Sequence, residues 1–270
     1  MAEKAELSGC VDKFFSNRGE DFGDVISALE RYARHGHYLN TLESHIQEFI
    51  GNPLHELPTV DASRVVLELG DKWSLLLANQ GSPTQQLYSQ PFRGFICPIN
   101  HPLTISRYSY SDEWKPDVLG QDIRVQPCTQ TTIQPLSACY FDGRKELVDV
   151  AITAESTAVL KLFEVPTAPM EWAFDRTSHT PTGVIAADPS ATRRQYILKV
   201  LGEIGSATSI SHIERACKDD LHYVRWAAVQ ALGKLSGEKA LGVLEEMSHQ
   251  DPQVAIRSAA KEAIRNSARN

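Results

Sequence analysis

The chain has 270 residues, which is enough for two domains of ordinary size. Its 42% hydrophobic and 23% charged residues are typical of a soluble globular protein. A net charge of −7 and a pI near 5.7 argue against a nucleic-acid partner, because nucleic-acid-binding proteins usually present a basic face.

The first ten residues mix acidic and basic side chains and contain no apolar core, so we expect no signal peptide. No apolar run approaches the length of a membrane span, so we expect no membrane partner. The five cysteines are widely spaced and form no CxxC, which is typical of free thiols in a reducing compartment. The sequence therefore predicts a cytoplasmic protein.

Residues 1–55 are predicted to form an N-terminal helical segment. Apolar residues recur at helical spacing over residues 22–33 and again over 39–49. His35-Gly36-His37 lies between the two helices. An HxH pair is what a metal-binding barrel uses, but around a glycine turn the two imidazoles need not converge. We therefore favour structural or solvated histidines and keep a ligand role as the alternative.

Residues 56–176 are predicted to form a β domain, because short apolar runs alternate there with Pro and Gly. Gly70-Asp71 and Asp142-Gly143 are hairpin-turn signals. Such a rhythm of strands and turns favours a sandwich or a small barrel. The predicted strands are residues 64–69, 73–78, 103–108, 123–125, 138–141, 146–152 and 158–163.

Residues 56–175 resemble the cupin superfamily, a double-sheet jelly roll. The resemblance rests on the strand rhythm and on residues 123–150, where a strand, a polar turn around 127–131, a short strand to Gln134-Pro135 and a hairpin follow one another. Metal-binding cupins carry an HxH, a Glu and a later His in the barrel. Here the barrel region contains only His101, and no histidine occurs near residues 137–139. We therefore favour a β domain without a metal cofactor.

The resemblance also implies an alternative, an Fe(II)-dependent cupin-type enzyme that acts on a small molecule. Its metal ligands would come partly from outside the β domain. They would be His35, His37 and either His101 or His179, together with a carboxylate such as Glu113.

A mixed aromatic and charged run covers residues 107–114. Loops of this composition form binding lids about as often as they form plain surface. Arg107, Tyr108 and Trp114 are therefore the predicted ligand-binding residues of the β domain.

Residues 177–190 are predicted to be a linker, and residues 191–270 a domain of repeats. A unit of about thirty residues recurs three times, beginning at Asp188-Pro189, Asp219-Asp220 and Asp251-Pro252. Each unit has the apolar spacing of a helix, a turn and a second helix, and such hairpins must stack to bury their apolar faces. The recurring arginines, Arg194, Arg225 and Arg257, are predicted to reach an Asp or a helix end of the adjacent unit.

Residues 188–264 resemble the HEAT-like repeat family, on the matches Val224-Arg225, Ala227-Ala228 and Ala231-Leu232-Gly233, repeated in part at Arg257 and Ala259-Ala260. The resemblance implies a surface that binds a protein partner. His222, Tyr223 and Trp226 are the predicted partner-binding residues, since residues four apart share a helix face and aromatic anchors dominate interfaces.

The sequence thus predicts an α+β protein: a jelly-roll or cupin-like β-barrel with an N-terminal helical segment and a C-terminal HEAT-like stack. Phosphate-binding glycine motifs, GxSxG and HExxH are all missing from the sequence. We therefore favour a binding or adaptor protein over the iron-dependent enzyme, and leave open whether the chain is an enzyme.

Overall fold

A computed structural model describes residues 2–16, 22–52, 59–61, 63–111, 114, 123–152, 156–166, 170–187 and 189–267. The described residues fall into two compact units, one up to residue 185 and one from residue 186 onward. None of the described helices combines the length and the apolar character that a membrane crossing requires.

Eight helices and twelve strands make up the described part of the chain. The helices are α1 (Ala2–Ser16), α2 (Gly23–Arg34), α3 (His37–Gly51), α4 (Pro189–Ile204), α5 (Ala207–Ala216), α6 (His222–Leu235), α7 (Gly237–Gln250) and α8 (Val254–Ser267). The strands are β1 (Thr59–Asp61), β2 (Arg64–Leu69), β3 (Trp73–Gln80), β4 (Gln86–Tyr88), β5 (Arg93–Pro98), β6 (Leu103–Ser109), β7 (Gln126–Ile133), β8 (Cys139–Asp142), β9 (Glu146–Ile152), β10 (Thr157–Glu164), β11 (Met170–Asp175) and β12 (Pro181–Ala186).

The first unit is built around a six-stranded sheet of order β1-β2-β3-β10-β5-β8. Successive side chains of a strand point to opposite faces, so each central strand contributes side chains to a core on each face of the sheet. Phe95 and Leu162 pack on one face with residues of α1 and α2, such as Val11 and Leu29. The N-terminal helices therefore share a core with the sheet and are not a separate body.

The opposite face of the sheet packs against a three-stranded sheet of order β7-β6-β9. Ile96 and Val159 meet Leu103 and Ile105 of β6 there, and these side chains are almost fully buried. A third sheet has the order β12-β11-β4. Helices on one face of the sheet and an antiparallel sheet on the other confirm the predicted mixed fold.

Several details of the β region differ from the sequence prediction. Strands β4, β5 and β11 were not predicted. Residues 123–125 are not a strand, and β7 begins only at Gln126, so the predicted polar turn around 127–131 lies within a strand. The turn at Asp142-Gly143 does follow a strand, but β8 and β9 belong to different sheets, so the turn is a corner and not a hairpin. Strand β12, Pro181–Ala186, lies inside the range predicted as a linker.

The second unit is a stack of the five helices α4 to α8, as the repeats predict. Its core consists of small and branched residues such as Ala228, Leu232 and Ala260, which are fully buried. Gly202 of α4 approaches the Cα of Ala231, where an added Cβ would lie 3.0 Å away. Small residues therefore let neighbouring helices come close, and a larger side chain would separate them.

The predicted arginine ladder joins adjacent units at Arg194 and Arg225, whereas Arg257 bonds within its own unit. Arg225 donates from Nε and Nη2 to both carboxylate oxygens of Asp251, at 2.9 and 2.8 Å. Arg194 pairs with Asp219 at 3.3 Å, and Arg257 donates to the carbonyl oxygen of Asp251. The carboxylates of Asp219 and Asp251 also each accept from the backbone N–H two residues further on, before the helix begins.

Candidate ligand-binding site

A cavity of about 1160 Å3 opens in the first unit. Its size is that of a site for a small molecule rather than of a packing defect. Its wall is unusually rich in charged side chains that come from β5, β6, β8, β9 and β10 and from the turn after β8. The described residues of the wall include Phe15, Phe22, Lys72, Arg93, Arg107, Tyr108, Cys128, Thr129, Tyr140, Asp142, Arg144, Lys145, Glu146 and Glu164.

Arg93 is the innermost cation of the cavity, with only 7% of its surface exposed. Its Nε and Nη2 donate to the two carboxylate oxygens of Glu164, at 2.9 and 2.7 Å. Its guanidinium carbon also lies 4.8 Å from the ring centroid of Phe14 and 5.2 Å from that of Phe15. The hydrogen bond to Glu164 raises the pKa of Arg93 against the opposing effect of burial, so the cation is permanent.

Arg144 lies in the turn between β8 and β9 and forms the second pair. Its Nε and Nη2 donate to Asp142 at 2.7 Å each. Burial alone would raise the pKa of Asp142, but the hydrogen bond and charge of Arg144 outweigh it and hold that pKa below its usual value. Asp142 is the registered neighbour of Arg93 across β5 and β8, so the carboxylate of the second pair lies on the strand next to the first cation.

Arg107 reaches the cavity from β6 and forms the third pair, with Glu146. Its Nη2 also donates to the carbonyl oxygen of Tyr140 at 2.8 Å and lies 3.2 Å from Sγ of Cys139. The side chain therefore crosses from one sheet to the edge of the other. The register between β6 and β7 is irregular here, between Arg107 and Tyr108.

The cavity carries a surplus of positive charge. Three arginines each neutralise one carboxylate, while Lys72 and Lys145 also line the wall. Lys145 lies 4.0 Å from Asp142, whose two oxygens already accept from Arg144. Among the described residues of the wall, five cations face three carboxylates, a surplus of two in a chain whose net charge is −7. The chemistry of the wall therefore suits an anion.

The same wall does not suit a divalent metal ion. Histidine is missing from the described residues that line it, and each of its three carboxylates is already bound by a guanidinium. Over all described ranges, no three His, Cys, Asp or Glu side chains gather closely enough to hold a metal ion. A bound cation would have to displace the arginines and tolerate the two lysines.

The structure does not bring the alternative iron ligands together. His35 and His37 flank the turn between α2 and α3, with ring centroids 6.1 Å apart and rings nearly perpendicular. His101 is exposed just before β6, and the ring of His179 packs 5.4 Å from that of Tyr108. Glu113 lies outside the described residues.

Two of the three predicted ligand-binding residues, Arg107 and Tyr108, do line the cavity. Trp114 instead stacks on Tyr110 with centroids 3.7 Å apart. Sequence reasoning missed Arg93 and Arg144. The signal available for Arg93 was its position as a charged residue at the start of the apolar run of β5. Burying an unpaired charge there would be too costly, so a carboxylate partner could have been expected.

The predicted partner-binding residues are less accessible than expected. His222 is 4% exposed, and Tyr223 and Trp226 are half-buried against the core of the helical stack. The exposed apolar residues of the stack lie mainly on α4, where they form one stripe along the helix. The members of this α4 stripe are Tyr196, Ile197, Val200 and Ile204, which are 51–79% exposed.

A comparison with known families found a match that covers the helical unit. Residues 183–265 match the family model described as HEAT repeats. This confirms the resemblance seen in the repeats. A comparison with curated protein sequences gave no match.

Among solved structures, the chain is similar to hydroquinone 1,2-dioxygenase from Sphingomonas sp. TTNP3, at 9% identity and a TM-score of 0.31, over 39% of this chain and 66% of that one. It is similar to KdgF from Halomonas sp., at 11% identity and 0.27, over 43% of this chain and 93% of that one. It is also similar to a cupin-2 domain protein from Shewanella frigidimarina, at 8% identity and 0.26, over 46% and 97%. The chain spans just under two thirds of the length of the dioxygenase.

Proposed function

We propose that the protein is a ligand-binding adaptor. Its β domain binds an anionic small molecule in the arginine-lined cavity, and its HEAT-like helices bind a protein partner. The observation that carries the first half is the surplus of two positive charges among the described residues of the cavity wall, within an acidic chain. Fixed cations in a partly closed pocket attract an anion more strongly than the same cations in open water.

The guanidinium geometry leaves donors for such a ligand. The bonds of Arg93 to Glu164 and of Arg144 to Asp142 use Nε and Nη2 in both cases. Nη1 of each arginine has no bond to another described residue. A carboxylate or phosphate that enters the cavity can therefore accept hydrogen bonds without breaking either ion pair.

Calorimetric titration with a panel of organic carboxylates and phosphate esters, each beside a neutral analogue of the same shape, tests this proposal. We expect anions to bind and their neutral analogues to bind at least tenfold more weakly. Arg144→Gln should weaken anion binding by about tenfold, roughly 1.4 kcal/mol, because one charged donor is lost. Arg34→Gln removes the same charge from an exposed pair on α2 and should have no effect. Equal binding of anions and neutral analogues would contradict the proposal.

The α4 stripe supports the second half of the proposal. Terminal helices of a repeat stack usually have a polar outer face, yet α4 exposes the four large apolar residues of the α4 stripe. Quantitative pull-down with the full chain and with Ile197→Asp/Ile204→Asp tests the surface. A partner should be retained by the native chain, lost by that variant, and kept by Val254→Asp, which alters an equally exposed residue on α8. A partner retained by all three proteins would not use the α4 stripe.

A further inference from the structure

Strand β7, Gln126–Ile133, has an unusual surface for the edge of a sheet. It pairs on one side with β6, and no other described strand pairs with its outer side. Its first seven residues are exposed, so both of its faces lie open to solvent. With eight residues, it is longer than the other described strands that end a sheet.

Natural proteins usually protect such an edge. Short strands, charged side chains, prolines and bulges all prevent the free N–H and C=O groups from pairing with another chain. The sequence of β7, QPCTQTTI, contains no charged residue. Its one proline, Pro127, and the register irregularity at Cys128 obstruct pairing only near the start of the strand. Residues 129–133 carry none of these protective features, so they are free to pair with another strand.

We infer that β7 pairs antiparallel with the β7 strand of a second copy of this chain. A two-fold axis perpendicular to a sheet brings a strand beside its own antiparallel image, and the backbone donors and acceptors of an edge strand are complementary to that image. The three-stranded sheet β7-β6-β9 would become one six-stranded sheet, continuous through the dimer. This inference does not depend on the proposed function.

The charge pattern selects a second copy over other partners. A charged edge strand would meet like charges across the two-fold axis, at a cost that opposes self-pairing. β7 carries no charge and so avoids that cost, although the chain as a whole carries −7. Gln130 and the threonines on either side offer hydroxyl and amide groups of the kind that form cross-strand pairs. An acidic or basic peptide would find no opposite charge on β7.

The pairing would also bring two cavities close together. Cys128 and Thr129 of β7 line the cavity, and Thr129 is the registered neighbour of Arg107 on β6. A second β7 strand would pair along the outer edge of that wall. Dimerisation would therefore hold β7, which forms one edge of each cavity, in a fixed position.

Sedimentation velocity over a concentration series and cross-linking at Cys128 test the inference together. Cys128 is the exposed cysteine of the chain, whereas the other four are buried or half-buried. Antiparallel pairing of residues 129–133, centred on Thr131, places the two Cys128 residues about 20 Å apart along the strands, at 3.4 Å per residue. We expect a concentration-dependent dimer, and a covalent dimer with a bis-maleimide of that span. Cys128→Ser should abolish the cross-link.

Gln130→Lys/Thr132→Lys places like charges on the paired edge and should weaken dimerisation at least tenfold. Asn79→Lys adds a charge to an exposed position of β3 and should leave the dimer unchanged. A monomer at the highest soluble concentration would overturn the inference. So would a dimer that survives Gln130→Lys/Thr132→Lys, since it would use another surface. If that variant does not fold, as judged by circular dichroism, cross-linking of the native chain decides alone.

Discussion

Glu171 shows how one buried carboxyl sets a pH dependence for the whole chain. It lies on β11, where burial raises its pKa to about 7 and the charge of Arg64 only partly lowers it. In the unfolded chain the carboxyl has a pKa near 4.3, so the folded state holds the proton more tightly. Its contribution to stability is therefore complete below about pH 4 and is lost as pH rises through 7.

We expect Glu171→Gln to remove this pH dependence. At pH 8 the variant should be more stable than the native chain by up to about 3 kcal/mol, because it no longer ionises a buried group. Urea unfolding at pH 5 and at pH 8 measures the difference. Asp71→Asn, at an exposed carboxyl in the turn before β3, is the control and should not alter the pH profile. An unchanged profile in Glu171→Gln would show that another group is responsible.

The arginine ladder allows a matched comparison of buried and exposed pairs. Side-chain exposure is 10% for Arg225 and 2% for Asp251, against 43% for Arg194 and 20% for Asp219. Arg225→Met should cost about 3–5 kcal/mol, because it leaves a buried carboxylate without its partner. Arg194→Met should cost less than about 1 kcal/mol.

Denaturant unfolding followed by the helical circular dichroism signal measures both costs. The double variant Arg225→Met/Asp251→Leu should recover part of the loss, because no unpaired charge remains. Equal costs for the two single variants would mean that the ladder is not the source of stability.

At the scale of elements, the corner between β8 and β9 depends on one glycine. A Cβ on Gly143 would lie 1.9 Å from the carbonyl oxygen of Gln90, far inside contact distance. We expect Gly143→Ala to cost several kcal/mol and to displace Arg144, the next residue, from Asp142. Anion binding in the cavity should fall with it.

Thermal unfolding and ligand titration of Gly143→Ala test this expectation. Gly81→Ala is the matched control, since a Cβ at Gly81 would meet no atom within 4 Å. Native-like stability of Gly143→Ala would show that the loop around Gln90 shifts freely. In that case the position of Arg144 would not depend on the glycine.

The helical elements could be predicted because their signal is local and repeated. Apolar spacing of three and four residues and a ladder at Arg225 and Arg257 recur within each unit. Strand β7 could not be predicted, because polar residues occupy both of its faces and no alternation marks it. The turn at Asp142-Gly143 was visible, but local chemistry cannot tell whether the strands beside it pair with each other or with other sheets.

The residues of the candidate site also divide into those with a local sequence signal and those that only the topology brings together. Arg107 and Tyr108 were found because they belong to one short run of aromatic and charged residues. Arg93 and Glu164 lie 71 residues apart, and only the antiparallel pairing of β5 with β10 brings them together. No pattern along a single sequence links two such positions, so the cationic cavity emerges only from the topology.

At the scale of the whole molecule, the two compact units have separate hydrophobic cores. The cavity is lined by residues of the first unit, and the α4 stripe belongs to the second. If the protein is an adaptor, each half of the function should therefore be removable without the other. Variants that lose one binding activity and keep the other would be stronger evidence for an adaptor than either binding activity measured alone.

We expect Ile197→Asp/Ile204→Asp to bind the anionic ligand with native affinity, within about twofold, while it loses the protein partner. Arg144→Gln should show the reverse pattern, because it changes a cavity donor and leaves the helical core untouched. Calorimetry and quantitative pull-down on the same preparations give the four measurements. If the α4 variant also loses the ligand and remains folded by circular dichroism, the two activities are coupled, because neither substitution in that variant alters the wall of the cavity. The protein would then be a ligand-controlled switch rather than a passive connector, since ligand and partner would each change the affinity for the other by the same factor.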